Sequence, residues 1–437
     1  MPYLIQPDPH KIATPVFLGF GAEWDSSYYV AGNVTDEDFA LARRRVDWMR
    51  LPVARVMMQV KWCSPQGGGS YDWNTPAMRA LYRILDACQE LGTTVFLTDW
   101  GCEPGWLRTP GITDAADPHY AEAMATYLAY LRREKGYTCI RYFIMGNEPN
   151  FEVKEWARWK KGIENLWTAL QARQLDKEVT LVGADESNNE DWHRQAVAEL
   201  SHLLGGYDIH RYARDEVVRS GQLYDFYRAE WAYARANDPQ GALKPCIVGE
   251  AGMQDNAQHP YGNDNIGQFW YGVFMADYAI QAVNAGSAAV SAWMLDDNAH
   301  QGFFWGLWSD KAHGMRLRPW YYAWGLLCRL FRPGSLICRL PQPAEGPRAL
   351  AAQLPGGGWS LALVNRSAQP VEALFKLPGE AGRAFQCYTY AKDTLPEDDT
   401  ALLPALSLPG RVGVVSAQEE LSATCPPEAV VFLTTMR

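Results

Sequence analysis

The chain has 437 residues, of which 48% are hydrophobic, and a formal net charge of −10. As a soft prior that length suggests roughly two or three domains. The apolar content supplies a large core and excludes wholesale disorder. The acidic balance argues against nucleic acid or an anionic membrane surface as partner, because either favours a basic patch.

The opening stretch, Met1-Pro2-Tyr3-Leu4-Ile5-Gln6-Pro7-Asp8-Pro9, has neither a basic n-region nor an apolar h-region, so no signal peptide is expected. No apolar stretch reaches the length that spans a bilayer. The nine cysteines scatter from Cys63 to Cys425 without metal-type pairs. Ordinary thiols in a reducing, cytoplasmic setting are expected, and a Cys63–Cys102 bridge is not favoured. The 18 Trp and 22 Tyr are an unusual load. Many of them serve the core, but flat aromatic faces also suit the C–H surfaces of sugar rings.

From about residue 15 to 330, short apolar runs alternate with longer amphipathic stretches, which is the pattern of βα units around a parallel sheet. Eight runs fit strands covered on both faces: Phe17–Ala22, Ala54–Val60, Thr94–Thr98, Ile140–Gly146, Val179–Gly183, Tyr207–Tyr212, Cys246–Glu250 and Ala288–Leu295. Between them lie helix signals. Thr35 precedes Asp36-Glu37-Asp38, Thr75-Pro76 places Pro at a first helical position, and Gly136 follows the helical stretch Pro118–Lys135. Eight such units predict a (β/α)8 TIM barrel over residues 14–332. The last barrel helix reads Pro319–Leu330. Beyond it, Ala349–Leu354, Trp359–Val364, Ala373–Lys376, Ala384–Ala391 and Ala429–Thr434 alternate between turn clusters. These predict an all-β sandwich over residues 333–437, to which residues 1–13 could add a strand.

In such a barrel, chemistry sits at the C-terminal ends of the strands. The fourth run ends in Asn147-Glu148-Pro149-Asn150 and the seventh in Gly249-Glu250. Two carboxylates at one barrel mouth are what double-displacement glycoside hydrolysis needs. One stays protonated to assist the leaving group, and the other stays ionised to attack the anomeric carbon. Alone, either glutamate could be a solvated loop residue or a helix-start ion pair.

The ordered set of motifs resembles the clan A glycoside hydrolases, and the resemblance covers essentially the whole chain. Asn147-Glu148-Pro149 stands at the fourth strand's end and Glu250 at the seventh's. Arg55 is on the second strand, His210-Arg211-Tyr212 ends the sixth, and Trp293 lies on the eighth. Gly306-Leu307-Trp308, Arg318-Pro319-Trp320-Tyr321-Tyr322-Ala323 and Phe331-Arg332-Pro333-Gly334 resemble the passage into the clan's C-terminal β-domain. Within the clan, Gly19-Phe20-Gly21-Ala22 and Trp100-x-x-x-Pro104-x-Trp106-Leu107-Arg108 resemble family 30. Gly146-Asn147-Glu148-Pro149-Asn150 resembles family 39, and Ile247-Val248-Gly249-Glu250-Ala251-Gly252 resembles family 5. No single family is assigned. Family 5 members carry His near the end of the third strand, where this chain has Thr98-Asp99-Trp100.

The resemblance implies a retaining β-glycoside hydrolase with Glu148 as acid/base and Glu250 as nucleophile. Asn147 would bond the sugar 2-hydroxyl, Arg55 would favour the ionised nucleophile, and Trp293 would floor the site. His210 and Tyr212, two apart on a strand, share a face; Tyr212 could bond Glu250, and His210 could set the charge of either carboxylate. Glu250 is expected to be the more acidic of the pair. Glu23, Trp24, Asp99 and Trp100 are further candidate substrate contacts. Asp25, Glu186, Asn188, Asp296 and Asp297 are weaker ones, equally readable as caps or solvated residues. The long loops Lys61–Trp73, Met253–Asn265 and Asp296–Leu317 are expected to shape the cleft. The expected partner is an oligo- or polysaccharide, with no nucleic acid, no membrane, and no metal or organic cofactor. A transglycosylase on the same residues and a catalytically silent carbohydrate-binding barrel remain alternatives.

Overall fold

A computed structural model describes residues 2–255, 257–258, 262–297, 303–395, 410–416 and 418–436. The expected loops Met253–Asn265 and Asp296–Leu317 therefore lie partly outside the described residues. Eight parallel strands close a barrel in chain order: β2 (Gly19–Trp24), β3 (Val53–Met58), β4 (Thr94–Asp99), β5 (Ile140–Ile144), β6 (Thr180–Ser187), β7 (Gly206–Ala213), β8 (Cys246–Met253) and β9 (Ala289–Ala292). They follow β1 (Tyr3–Ile5). Helices between consecutive strands cover the outside, so each strand is buried on both faces, which is why the runs read as continuously apolar.

The local start signals act as chemistry requires. Thr35 Oγ1 accepts from the Asp38 backbone N–H, while the Asp38 carboxylate accepts from the Thr35 N–H, closing a capping box on the helix Asp36–Met49. Thr75 caps the helix Pro76–Leu91, whose first residue needs no N–H partner. Inside the barrel, Val53, Phe96, Ile144, Val182, Ile247 and Ala289 form an apolar layer beneath the mouth. Its strand positions set the inward parity for everything above it. All nine cysteines are free thiols, so Cys63 and Cys102 are not bridged.

The C-terminal strands are β10 (Leu336–Cys338), β11 (Arg348–Gln353), β12 (Trp359–Asn365), β13 (Val371–Lys376), β14 (Ala384–Tyr390), β15 (Gly410–Val414), β16 (Glu420–Cys425) and β17 (Ala429–Thr434). They form a six-stranded sheet ordered β10-β11-β12-β17-β14-β15 and a three-stranded sheet ordered β1-β13-β16. A shared apolar core including Leu361, Leu363, Phe375, Leu421 and Leu433 lies between the two sheets. Tyr3–Ile5 pairs in parallel with Ala373–Phe375. Strands β10, β15 and β16 were not singled out by the apolar runs. In β16 the inward positions Leu421, Ala423 and Cys425 alternate correctly, but two of the three are small.

The joint between barrel and sheets centres on the helix Phe269–Ala285, buried from Tyr271 through to Ala285. Asn284 Nδ2 donates to the Ala349 carbonyl at 3.0 Å and its Oδ1 accepts from the Leu340 N–H at 2.9 Å. Two turns earlier, fully buried Asp277 accepts from Arg348 Nη1 at 3.1 and 2.9 Å, with Arg366 Nη1 3.6 Å away. Removing the acid would leave buried Arg348 without its paired carboxylate, while Arg366 keeps Asp215 at 2.6 Å. Asp277→Ala should lower stability by about 3–5 kcal/mol, read as a lower Tm. Asp277→Ala combined with Arg348→Met should lose less than Asp277→Ala alone, because the double change removes one uncompensated charge. A double variant that is worse than the single would show that the ion pair is not what holds this joint.

Candidate active site

Strand β5 ends at Ile144, and the chain turns through Gly146 (φ +81°) and Glu148 (φ +42°) into a short helix opened by Pro149. This lifts Asn147 and Glu148 over the barrel mouth. On the opposite side the β8 ladder shifts register between Val248 and Ala251, which re-aims Glu250 inward. Gly249 is required there by close approach: a Cβ would lie 2.5 Å from Asp208 Oδ2, and its N–H donates to Asp208 Oδ1 at 2.7 Å. Strands β3 and β7 complete the ring, sending Arg55 inward from one and Asp208, His210 and Tyr212 from the other.

These side chains form one network. Glu250 Oε1 accepts from Arg55 Nη1 at 2.9 Å, and Oε2 accepts from the Tyr212 hydroxyl at 2.6 Å. Arg55 Nη2 also donates to Asn147 Oδ1 at 2.8 Å and to Asp185 Oδ2 at 2.9 Å. His210 Nδ1 lies 3.1 Å from Glu148 Oε1, and its Nε2 lies 3.0 Å from Asp185 Oδ1. One oxygen from each of Glu148 and Glu250 and a nitrogen of His210 all fall within 4.8 Å of one another. Glu148 keeps 22% of its side-chain surface open and Glu250 only 5%, so the first faces the mouth and the second lies deeper.

Burial and charge divide the titratable groups. Burial works to lower the His210 imidazole, but the charges of Asp185 and Glu250 outweigh it and hold the ring well above its usual value. Burial raises Asp185, yet Arg55 and His210 overcome that and hold it ionised below the usual carboxylate range. Burial, then the Asp185 charge, drives Asp208 far up. Burial lifts the Glu250 carboxyl above the ordinary value, against the pull of His210 and Arg55. The Tyr212 hydrogen bond also pulls it down. Among the described residues, two acid–histidine groupings are close enough for a metal, Glu148–His210–Glu250 and Asp185–Asp208–His210. In both, positive charge is already supplied by Arg55 and His210.

Of the residues singled out in the sequence, Arg55, Asn147, Glu148, His210, Tyr212 and Glu250 therefore come together. Trp293 follows β9 on the inward parity of Ala289 and Ser291, and its N–H donates to the Ala251 carbonyl at 3.1 Å. Trp100 continues the inward parity of Phe96 and Thr98 and is half-buried. Glu23 pairs in register with Arg55, and both its buried carboxyl oxygens lack a hydrogen-bond partner among the described residues.

Two candidates point elsewhere. Trp24, next to Glu23 on the strand, faces outward by alternation. It is fully buried, stacks on Phe39 and donates to the Tyr29 hydroxyl. Asp99 likewise faces the helix Pro118–Ala129, where it accepts from the Tyr120 hydroxyl and from the Gly101 N–H. The weaker group serves local structure. Asp25 accepts from Ser27, Glu186 from the Asn189 N–H, Asn188 from Arg211, Asp296 from Tyr29, and Asp297 from Arg318. The sequence reading missed Asp185 and Trp305. Asp185 is the extra residue where β6 shifts register between Ala184 and Glu186. Strict alternation from Val182 would have turned Glu186 inward instead. Trp305 packs edge-on to Tyr212, centroids 5.3 Å apart, from the loop already expected to shape the cleft.

Neither a family model nor a curated protein matches the sequence. Solved structures do match across the whole chain. The catalytic domain of GH30 xylanase C from Talaromyces cellulolyticus is 12% identical with a TM-score of 0.70, covering 99% of both chains. A GH39 β-xylosidase from Caulobacter crescentus is 15% identical with a TM-score of 0.67, again over 99% of both. An α-L-arabinofuranosidase from Thermotoga maritima is 13% identical with a TM-score of 0.68 over 99% of both. This chain shares with them the TIM barrel and its C-terminal β-sheets.

The outward placement of Asp99 is testable. Burial raises its carboxyl to about 7, whereas in the unfolded chain it ionises near the ordinary ~3.9. Between those values the unfolded chain has released a proton that the folded chain keeps. Stability is therefore lost as pH rises from about 4 to 7 and then levels off. Asp99→Asn keeps an acceptor for Tyr120 and removes that loss, so it should raise Tm at pH 8 more than at pH 4 and leave turnover unchanged. A fall in kcat with intact Tm would return Asp99 to the site.

Proposed function

We propose that this chain is a retaining β-glycoside hydrolase acting on β-linked oligo- or polysaccharide. The observation that carries the reading is the pair of carboxyls at the barrel mouth, with one oxygen of each within 4.8 Å of the other's, one group open to the mouth and the other deep. Retention needs a separation of roughly 5–5.5 Å, against about 6.5–9.5 Å when a water must fit between acid and sugar. Glu250, deep and bonded by Arg55 and Tyr212, suits the nucleophile. Glu148, open to the mouth, suits the acid/base.

In the first step the Glu250 carboxylate attacks the anomeric carbon while Glu148 gives its proton to the departing glycosidic oxygen. The C–O bond to the leaving group breaks and a glycosyl ester on Glu250 forms. In the second, water attacks the same carbon, Glu148 takes its proton, and the ester C–O bond breaks to restore the Glu250 carboxylate. Asn147 holds its oxygen on Arg55, which leaves its amide N–H groups to donate to the sugar 2-hydroxyl. Glu23, with its unpartnered buried carboxyl, is the natural receiver for a ring hydroxyl. Trp293, Trp100 and Trp305 supply faces for the ring.

Aryl β-glycosides provide the first test, beginning with xylosides because xylanases and a xylosidase share the fold. The first-formed product should keep its anomeric configuration by NMR. Glu250→Ala should abolish turnover, with azide restoring part of it as the glycosyl azide of opposite configuration. Glu148→Ala should slow poor leaving groups by ~10²–10⁴ and activated aryl glycosides far less. An inverted product, or leaving-group dependence on Glu250 rather than Glu148, would overturn the assignment.

The raised Glu250 carboxyl makes a separate expectation. Attack needs the ionised form, so kcat/KM should fall as pH drops through a value above the ordinary carboxylate range. Tyr212→Phe removes a bond that favours the ionised form, so it should move that acid limb to higher pH. A limb that stays in place, or moves down, would separate Tyr212 from the nucleophile.

A further inference from the structure

One buried acid in the site takes part in no step above. Asp185 is the bulged residue of β6, with φ +57°, and is fully buried. Its Oδ2 accepts from Arg55 Nη2 at 2.9 Å and from the Glu148 backbone N–H at 3.3 Å, and its Oδ1 lies 3.0 Å from His210 Nε2. Each partner leads to a different part of the machinery. Arg55 holds Glu250, His210 reaches the Glu148 side chain, and the Glu148 N–H belongs to the acid/base itself.

The two ring nitrogens of His210 both face carboxylate oxygen. Nε2 meets Asp185 Oδ1, and Nδ1 meets Glu148 Oε1 at 3.1 Å and Glu250 Oε1 at 3.6 Å. A neutral imidazole carries one N–H and would set a lone pair against an oxygen at the other nitrogen, whereas an imidazolium donates at both. The titratable groups around the ring are Asp185 and Glu186 from β6, Glu148 after β5, and Glu250 from β8. Asp208 and Tyr212 lie on its own strand, and Arg55 sits across Asp185. Among the described residues Asp185 is the acid within hydrogen-bond distance of both buried cations, whereas Glu250 bonds Arg55 and lies 3.6 Å from His210.

We propose that Asp185 is the positioning residue of this site: it keeps His210 doubly protonated, so that Nδ1–H donates to Glu148 Oε1 and leaves Oε2 to carry the catalytic proton. The inference rests on the glycosidase reading for the destination of that proton, and not for the charge of the ring. Asp185→Asn has a specific consequence. An asparagine can accept from Arg55 only by turning its Nδ2–H groups towards His210 Nε2. That nitrogen must then accept, and the ring becomes the neutral Nδ1–H form, which keeps its bond to Glu148 Oε1 but loses the positive charge that eases release of the proton from Oε2.

The test uses ¹⁵N-histidine NMR on the full chain, with His210 assigned by its loss in His210→Gln. In the wild-type protein His210 should stay doubly protonated from about pH 5 to 8, where an unperturbed histidine titrates. In Asp185→Asn it should be singly protonated over most of that range. For glycosides with poor leaving groups kcat should fall ~10- to 100-fold, a share of what general acid–base catalysis supplies, with KM changed less than about twofold and activated aryl glycosides affected less. Asp185→Glu should not restore the rate, because the longer acid cannot meet both cations from the bulge. If Asp185→Asn does not fold, His210→Gln must show the same leaving-group-dependent loss. A wild-type His210 that is neutral, an Asp185→Asn ring still doubly protonated, or unchanged kcat in His210→Gln would overturn the proposal. A chain that cleaves no glycoside while its His210 behaves as stated would instead end the functional reading and leave the ring's charge explained.

Discussion

A guanidinium buried inside a barrel sets the terms for everything around it. Arg55 is 1% exposed, so its charge is tolerable only if it is matched and hydrogen-bonded. It is matched by Asp185 and Glu250, and its fork also holds Asn147. His210 brings a second buried cation to the same two acids. With two cations and two anions paired, further negative charge in the same space is costly. Asp208 is accordingly driven towards its neutral form by burial and then by Asp185, and Glu23 is raised as well, by burial and then by Asp25. The site is thus a balanced cluster in which each protonation state depends on the others.

Backbone irregularities put these groups where regular strands would not. The bulge of β6 turns Asp185 inward, and the register shift of β8 does the same for Glu250. Both sit above a dry layer of Val53, Phe96, Ile144, Val182, Ile247 and Ala289, which gives the polar cluster a rigid floor and keeps its dielectric low. The C-terminal sheets support this scaffold from the side. They clamp the helix Phe269–Ala285, which follows the strand of Glu250 and precedes the strand leading to Trp293. A buried ionic joint on that helix ties the sheets to two of the elements that frame the site.

Much of this was legible in the chain. Eight apolar runs, spaced by helix caps such as Thr35 and Thr75-Pro76, are local signals whose meaning does not depend on distant partners. So is the parity that puts His210 and Tyr212 on one face. Residue chemistry at strand ends picked out Arg55, Asn147, Glu148 and Glu250, and these four meet His210 and Tyr212 in one network. Parity was also available for Trp24 and Asp99, and it speaks against them: Trp24 is one place from Glu23, and Asp99 is one place from Thr98 and Trp100. Reading proximity to a strand end instead of parity placed them in the site.

What the sequence determined by itself, then, was the rhythm of strands and helices and the choice of two strand-end carboxylates that meet at the barrel mouth, because both follow from short-range periodicity and from side-chain chemistry. Only the tertiary structure decided the inward placement of Asp185, the packing of Trp305 on Tyr212, the direction of Trp24 and Asp99, and the upward shift of Glu250. A bulge breaks the two-residue period without leaving a mark in composition, so Asp185 rather than Glu186 faces His210. The charge of a buried acid depends on how deeply it is desolvated and on which cations reach it from other strands. For Glu250 those cations stand 195 residues away at Arg55 and one strand over at His210, and no local stretch of chain contains that distance.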